Sequence, residues 1–412
     1  MATARSLWLA LLCACAFAHA EPDELALGRA RGYPAAESAA GMAAPQYRVG
    51  SWSALDTVPG VQVHRVAASP SARPLPRAAH PPPIRYRLRN AAYTLDDYLE
   101  RQRITALMIL KNGEIVAERY RYGRAEHARF LGFSMSKSIV SLLVGVAAAN
   151  GSIASLDDPA SKYAKELAGS AYGDVTIREL LRMSSGLTFT ERYDGRDDVA
   201  RMSRAFAGPE GTVPVLRSIV ERHSPPGEKF VYASAESEAL GRVLHGASGR
   251  SLAELTEKWL WQPLGAGDDA FWRVGGDGME GAWGYFNASL ADWARVGLLL
   301  VHDGRVGERQ VVPRDYLLDA TDTEREPEAF RPRRATPYTG YGYQFWLMPM
   351  RERTFALQGV YGQAIFVQPA SGIVLVQLAV YDPASAKTDP VPFRERDAFW
   401  RGVLQSLGGS TE

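Results

Sequence analysis

A chain of 412 residues, 46% apolar and 23% charged, can bury a large core and has room for two or three structural regions. Its 47 cations against 46 acids give no electrostatic case for nucleic acid or an anionic membrane. A small-molecule substrate fits that balance better.

The N-terminus reads as an export signal: a cation at Arg5, an apolar run from Leu7 to Ala14, and a small-residue site at Ala18-His19-Ala20. The apolar run is too short to span a bilayer. Residues 1–20 are therefore expected to be removed, with the mature protein starting near Glu21 in a secreted or periplasmic location. Leu12-Cys13-Ala14-Cys15 offers a second reading, a lipid-bearing Cys15, ranked lower because the apolar stretch before it is short. Both cysteines fall inside the signal, so a protein cut after Ala20 carries no thiol and no disulfide, and packing alone must hold it together.

Residues 21–84 are rich in Ala, Pro, Gly and Ser and end in Pro81-Pro82-Pro83, which predicts an extended, surface-hugging arm. Thr94-Leu95-Asp96-Asp97 resembles a capping box and opens a short helix to about Gln102. Ala106 to Leu110 and Glu114 to Tyr120 follow as a hairpin turned by Asn112-Gly113. The middle is mainly helical, with helices predicted over Thr176 to Met183 and Ser289 to His302, each opened by its capping residue. Three strands come late, at Tyr343 to Leu347, Ala364 to Gln368 and Ile373 to Leu378. A last helix puts Trp400, Val403, Leu404 and Leu407 on one face. Strands at both ends with helices between imply an α+β fold whose central antiparallel sheet draws on both ends of the chain. The main domain is placed at 85–407, with a helical subregion at about 150–335.

Gly132-Phe133-Ser134-Met135-Ser136-Lys137 runs into Ser138 and a run of apolar residues that Asn150-Gly151 terminates, so the helix is apolar almost all round and must be central. Ser134 and Lys137 stand three apart on one face of its first turn. A serine hydroxyl needs an adjacent base to act as a nucleophile, and burial can depress a lysine enough to serve. A bare S-x-x-K is more often a cap beside a solvated lysine. Here the chain has seven lysines against forty arginines, and this is its only S-x-x-K.

With this motif the chain resembles the serine β-lactamase and penicillin-binding-protein superfamily, in which S-x-x-K opens the buried helix behind the sheet. Thr176 to Leu187 resembles that superfamily's next helix-and-loop signature, and the likeness covers roughly residues 85–405. The resemblance implies a β-lactamase/transpeptidase-like fold and a serine hydrolase. It further implies that Tyr232, in Tyr232-Ala233-Ser234, is the phenol that relays protons with Lys137. Which of the two takes the Ser134 proton stays open. Gln358-Gly359-Val360-Tyr361-Gly362-Gln363 stands where the third motif should lie, and the resemblance implies an oxyanion hole of the Ser134 and Val360 amides, with Gly359 and Tyr361 lining the substrate site. Penicillin-binding relatives begin that motif with a cation two residues before the glycine; here the position is Leu357, which removes a natural partner for the carboxylate of penicillins or D-alanyl peptides. The form instead resembles the 6-aminohexanoate-dimer hydrolases and related carboxylesterases. In that subfamily the loop of Glu191-Arg192-Tyr193-Asp194 and Asp197-Asp198 closes over the pocket, so that Tyr193 would contact substrate. Trp283-Gly284-Tyr285-Phe286 could line the same pocket or simply pack.

An α/β-hydrolase would require G-x-S-x-G, and Ser136 stands where its second glycine belongs. The histidines are scattered with no H-E-x-x-H pair, so neither a metal nor a cofactor is expected. Asn287-Ala288-Ser289 matches a glycosylation pattern and reads more simply as a helix cap. The expectation is a serine hydrolase that acylates itself on a small ester or linear amide. The alternatives are a β-lactamase or DD-peptidase, or a non-catalytic binder that keeps the fold.

Overall fold

The computed structural model describes residues 24–412; the export signal expected at 1–20 and both cysteines lie outside the described residues. Seven antiparallel strands form the main sheet, in the order Gly340–Tyr341, Trp346–Leu347, Phe355–Gln358, Ala364–Gln368, Ile373–Ala379, Ile104–Lys111 and Glu114–Tyr120. The early hairpin pairs with the last long strand, Ile373 facing Lys111 and Gln377 facing Leu107, which closes the sheet from both ends of the chain as expected. Asn112 and Gly113 both take positive φ, 52° and 84°, as a tight two-residue turn requires.

Period-two alternation divides this sheet between two cores. Ala106, Met108 and Leu110 face the helical region, while Leu107 and Ile109 face the other way. That second face is covered by the helices Leu95–Arg101 and Val391–Leu407, and all four residues predicted on one face of the last helix are buried there. On the first face lies the helix Met135–Ala149, packed against Ser234–Ser248. Its serines are matched locally: the Ser138 hydroxyl donates to the Gln344 carbonyl at 2.6 Å, and Ser136 accepts the Phe286 amide at 2.9 Å. The capping residues Thr94, Thr176 and Ser289 each accept the amide three residues on. Asn287 lies buried in the strand Phe286–Ser289, in keeping with the capping reading of that tripeptide.

Two expectations change. The arm is extended only in part: Pro45–Trp52 is a helix, and Gln62–Val66 is the edge strand of a second, four-stranded sheet with Ala270–Val274, Phe286–Ser289 and Arg129–Leu131. That strand finds its partner some two hundred residues away, so nothing local marks it. The strand predicted at Tyr343 to Leu347 shrinks to Trp346–Leu347, because Gln344 takes a φ of 65° and leaves the extended region.

Gly145 shows how closely the central helix is packed. A Cβ there would lie 2.6 Å from Cδ1 of Tyr316, whose hydroxyl donates to the Ser141 carbonyl at 2.8 Å. Gly145→Ala is therefore expected to destabilise the protein by about 1–3 kcal/mol from overpacking, despite a gain of about 1 kcal/mol in helix propensity. Urea unfolding checks it, and an unchanged or higher midpoint would show that Tyr316 can move.

Candidate active site

The chain reaches Ser134, the N-cap of the helix Met135–Ala149, through Phe133, which is held at a φ of 46° in the sparsely populated left-handed region. The Phe133 ring is braced edge-on by Trp52 of the arm, centroids 4.8 Å apart, and by Tyr361 at 5.5 Å. Ser134 is half-buried and its side chain makes no capping bond, which leaves its hydroxyl free for Lys137. Lys137 is 1% exposed. Its Nζ donates to Ser134 Oγ at 3.1 Å, to Ser234 Oγ at 3.1 Å, and to the Trp283 carbonyl. Burial lowers its pKa to about 8, with the negative charge of Glu191 pulling the other way.

Tyr232 brings its ring against the same ammonium, 5.3 Å from Nζ to centroid, and stacks on Trp346 at 5.5 Å. Burial pushes its phenol well above the ordinary tyrosine range and Glu191 adds to this, while the side chain of Ser134 opposes it. The two partners thus move in opposite directions: the lysine is the easier to deprotonate, and the phenol keeps its proton.

Glu191 is a member of this cluster that sequence reasoning placed only in the covering loop. Its carboxylate accepts the Tyr193 hydroxyl at 2.6 Å, the Ser234 hydroxyl at 2.9 Å and the Ser234 amide at 2.8 Å. It therefore fixes the hydroxyl that shares Lys137 with Ser134. Asp197, in the same loop, caps the helix Asp198–Phe206 and accepts the amides of Arg192 and Tyr193 at 2.6 and 2.7 Å. These bonds hold the loop over the site with Tyr193 at a φ of 61°.

Val360 opens a short helical turn at the end of the Phe355–Gln358 strand, where leading amides have no partner within the turn. Gly359 lets this turn approach Ser134: a Cβ there would fall 2.4 Å from the Gly132 carbonyl. The glycine is thus needed for close contact between two protein segments, and it also lines the cleft at Ser134. Gln363 pins the turn from below, donating to the Ala379 carbonyl at 2.8 Å and accepting the Ala379 amide at 2.9 Å. Tyr361 packs on Trp52 at 4.8 Å. Leu357 is completely buried in the core shared with the helix Met135–Ala149, so no cation stands at that position.

Two clefts meet at Ser134, Glu191, Tyr193 and Val360. One, of about 300 Å³, runs between Tyr232, Trp346, Met348 and Phe393 and also meets Gly359; the other, of about 360 Å³, runs past Trp283, Tyr285, Tyr361 and Met42. The structure accordingly brings every sequence-predicted site residue to one place. Among the described residues no group of three or more His, Cys, Asp or Glu side chains is placed to hold a metal ion.

A family model described as Beta-lactamase matches residues 92–391. A 6-aminohexanoate-dimer hydrolase of Paenarthrobacter ureafaciens is 28% identical over 302 residues, which cover 70% of this chain and 76% of the relative. Among solved structures, a Bacillus anthracis protein described as a "putative 6-aminohexanoate-dimer hydrolase" matches with a TM-score of 0.79 at 20% identity, over 89% of this chain and 96% of its own. EstCE1, described as a hydrolase with promiscuous acyltransferase activity, matches with a TM-score of 0.57 at 16% identity, over 74% of this chain and 96% of its own. At such identities the structures speak for the fold alone. The family match spans well over half of the sequence, and the chain, a β-lactamase-fold hydrolase, belongs to the Beta-lactamase family.

Proposed function

We propose that this protein hydrolyses small esters or linear amides through an acyl-enzyme on Ser134. The observation that carries the reading is the Lys137 ammonium, buried, 3.1 Å from the Ser134 hydroxyl and depressed to about 8. Neutral Lys137 takes the hydroxyl proton as Ser134 Oγ attacks the substrate carbonyl. The developing oxyanion is held by the amides of Ser134 and Val360. Tyr232, which keeps its proton, donates to the leaving alkoxide or amine, and Lys137 returns a proton to Tyr232. Water then attacks the acyl group by the same route, releasing the acid and restoring Ser134. Glu191 holds Ser234 and Tyr193 in place throughout. The export reading of residues 1–20 belongs to the same proposal and would put this chemistry outside the cytoplasm.

Leu357 bears on substrate choice. With an aliphatic side chain sealed into the core where penicillin-binding relatives place a cation, a β-lactam carboxylate has no partner at that point, whereas an uncharged ester or a flexible amide needs none. A panel of p-nitrophenyl butyrate, linear aminohexanoate oligomers, a D-alanyl peptide and nitrocefin tests this. Ester or oligomer turnover is expected to exceed nitrocefin turnover by roughly a hundredfold or more in kcat/KM, the scale of a lost charge-assisted contact. Nitrocefin as the best substrate would overturn the reading.

A further inference from the structure

The cleft between Tyr232, Trp346 and Phe393 does not end on apolar residues. The last helix also lines it with Arg396, only 4% exposed, with its guanidinium over the rings of Phe366 and Phe393 at 5.2 and 5.3 Å. Nη2 donates to Gln358 Oε1 at 2.6 Å and reaches Asp397 Oδ1 at 3.5 Å, while Nε and Nη1 have no hydrogen-bond partner among the described residues. A guanidinium carries five N–H donors, and leaving them unmatched in a buried site is costly. Asp397 is a weak counter-ion here, since its bond is long and burial pushes its carboxyl up, Arg396 acting against that rise. Lys387, exposed at the same cleft, adds a second cation, and Glu191 lines it beside Tyr193.

Gln358 connects this arginine to catalysis, because the next two residues in the chain are Gly359 and Val360. Whatever Arg396 binds is thereby tied to the segment that carries the oxyanion amide. One cleft is thus lined by Ser134, by the apolar side chains of Trp346, Met348 and Phe393, and by a buried cation with unmatched donors.

We propose that Arg396 is the recognition site for a carboxylate at the end of a linear, largely apolar substrate whose scissile carbonyl lies at Ser134. This inference deepens the proposed function and names a substrate class, linear esters or amides bearing a free acid. Position 357 itself still offers no cation; the carboxylate partner proposed here lies elsewhere, on the last helix.

Hexanoate, hexanamide and hexylammonium probe this without any turnover, by ligand-observed NMR titration. Wild-type protein is expected to bind hexanoate roughly tenfold more tightly than hexanamide, and hexylammonium most weakly, as a charge-assisted bond predicts. In Arg396→Gln the advantage of hexanoate should fall to within about twofold; Arg396→Met, which keeps aliphatic packing on Phe366 and Phe393, serves if that variant does not fold. Equal binding of hexanoate and hexanamide by wild type, or an advantage that survives in a folded Arg396 variant, would overturn the proposal. Because binding is read directly, its failure is separable from failure of the acyl-enzyme reading, which labelling of Ser134 decides.

Discussion

Lys137→Ala is expected to lower ester kcat/KM by roughly a thousandfold, the scale of general-base catalysis, with KM changing far less. The protein should stay folded, because alanine is the best helix former and the substitution removes a buried cation. In the proposed mechanism the active form is the neutral amine, so kcat/KM should rise with pH to a plateau, with a midpoint near 8. A profile that climbs with a midpoint near the free-lysine value of 10.5, or that is flat from pH 6 to 9, would contradict the role.

The same group also makes a stability statement. Between about pH 8 and 10.5 the unfolded chain holds a proton on Lys137 that the folded protein has released, so wild-type stability gains from this group as pH rises through that window. Below pH 8 the full burden of burying the charge is present. Lys137→Met should therefore compare best with wild type at pH 7 and lose ground by pH 10, which urea midpoints at the two values would show.

Ser134→Ala is expected to bring hydrolysis of p-nitrophenyl esters down to the background rate. Nothing in the packing should follow, since the Ser134 side chain makes no capping bond and is half-buried. Unaltered circular dichroism and unfolding would separate this loss from misfolding. Residual turnover above about a tenth of wild type would mean that another group is the nucleophile.

Much of this site could be read from the sequence because its signals are local. Ser134 and Lys137 meet through helix geometry alone, and the Asn112-Gly113 turn and the capping residues Thr94, Thr176 and Ser289 act over two or three residues. What escaped depends on contacts distant in the chain. The strand Gln62–Val66 is defined by Ala270–Val274, and the helix Pro45–Trp52 matters through a tryptophan that meets Phe133 and Tyr361. Gln344 was hidden inside an apparent strand. It spends its side chain on the carbonyls of Leu180 and Leu181 and on Ser237, joining three elements that no spacing in the sequence brings together.

Glu191 and Arg396 illustrate a different limit. Each is an ordinary charged residue in a loop or helix by its neighbours in sequence, and each acquires meaning from what buries it. The loop containing Glu191 could be singled out by its Tyr193, but only the fold shows that the carboxylate reaches Ser234 and so bears on Lys137. For Leu357 the sequence and the structure agree most usefully, since the residue type predicted the missing cation and its complete burial shows why no small movement would restore one.

The central claim is that Ser134, activated by Lys137, forms the acyl-enzyme, and intact-mass spectrometry after a fluorophosphonate probe tests it most directly. Wild-type protein is expected to gain one probe adduct, mapped to Ser134 by peptide digestion, with labelling abolished in Ser134→Ala and strongly slowed in Lys137→Ala. A folded wild-type protein that takes up no probe, or a Ser134→Ala variant that labels as fast as wild type, would contradict the account.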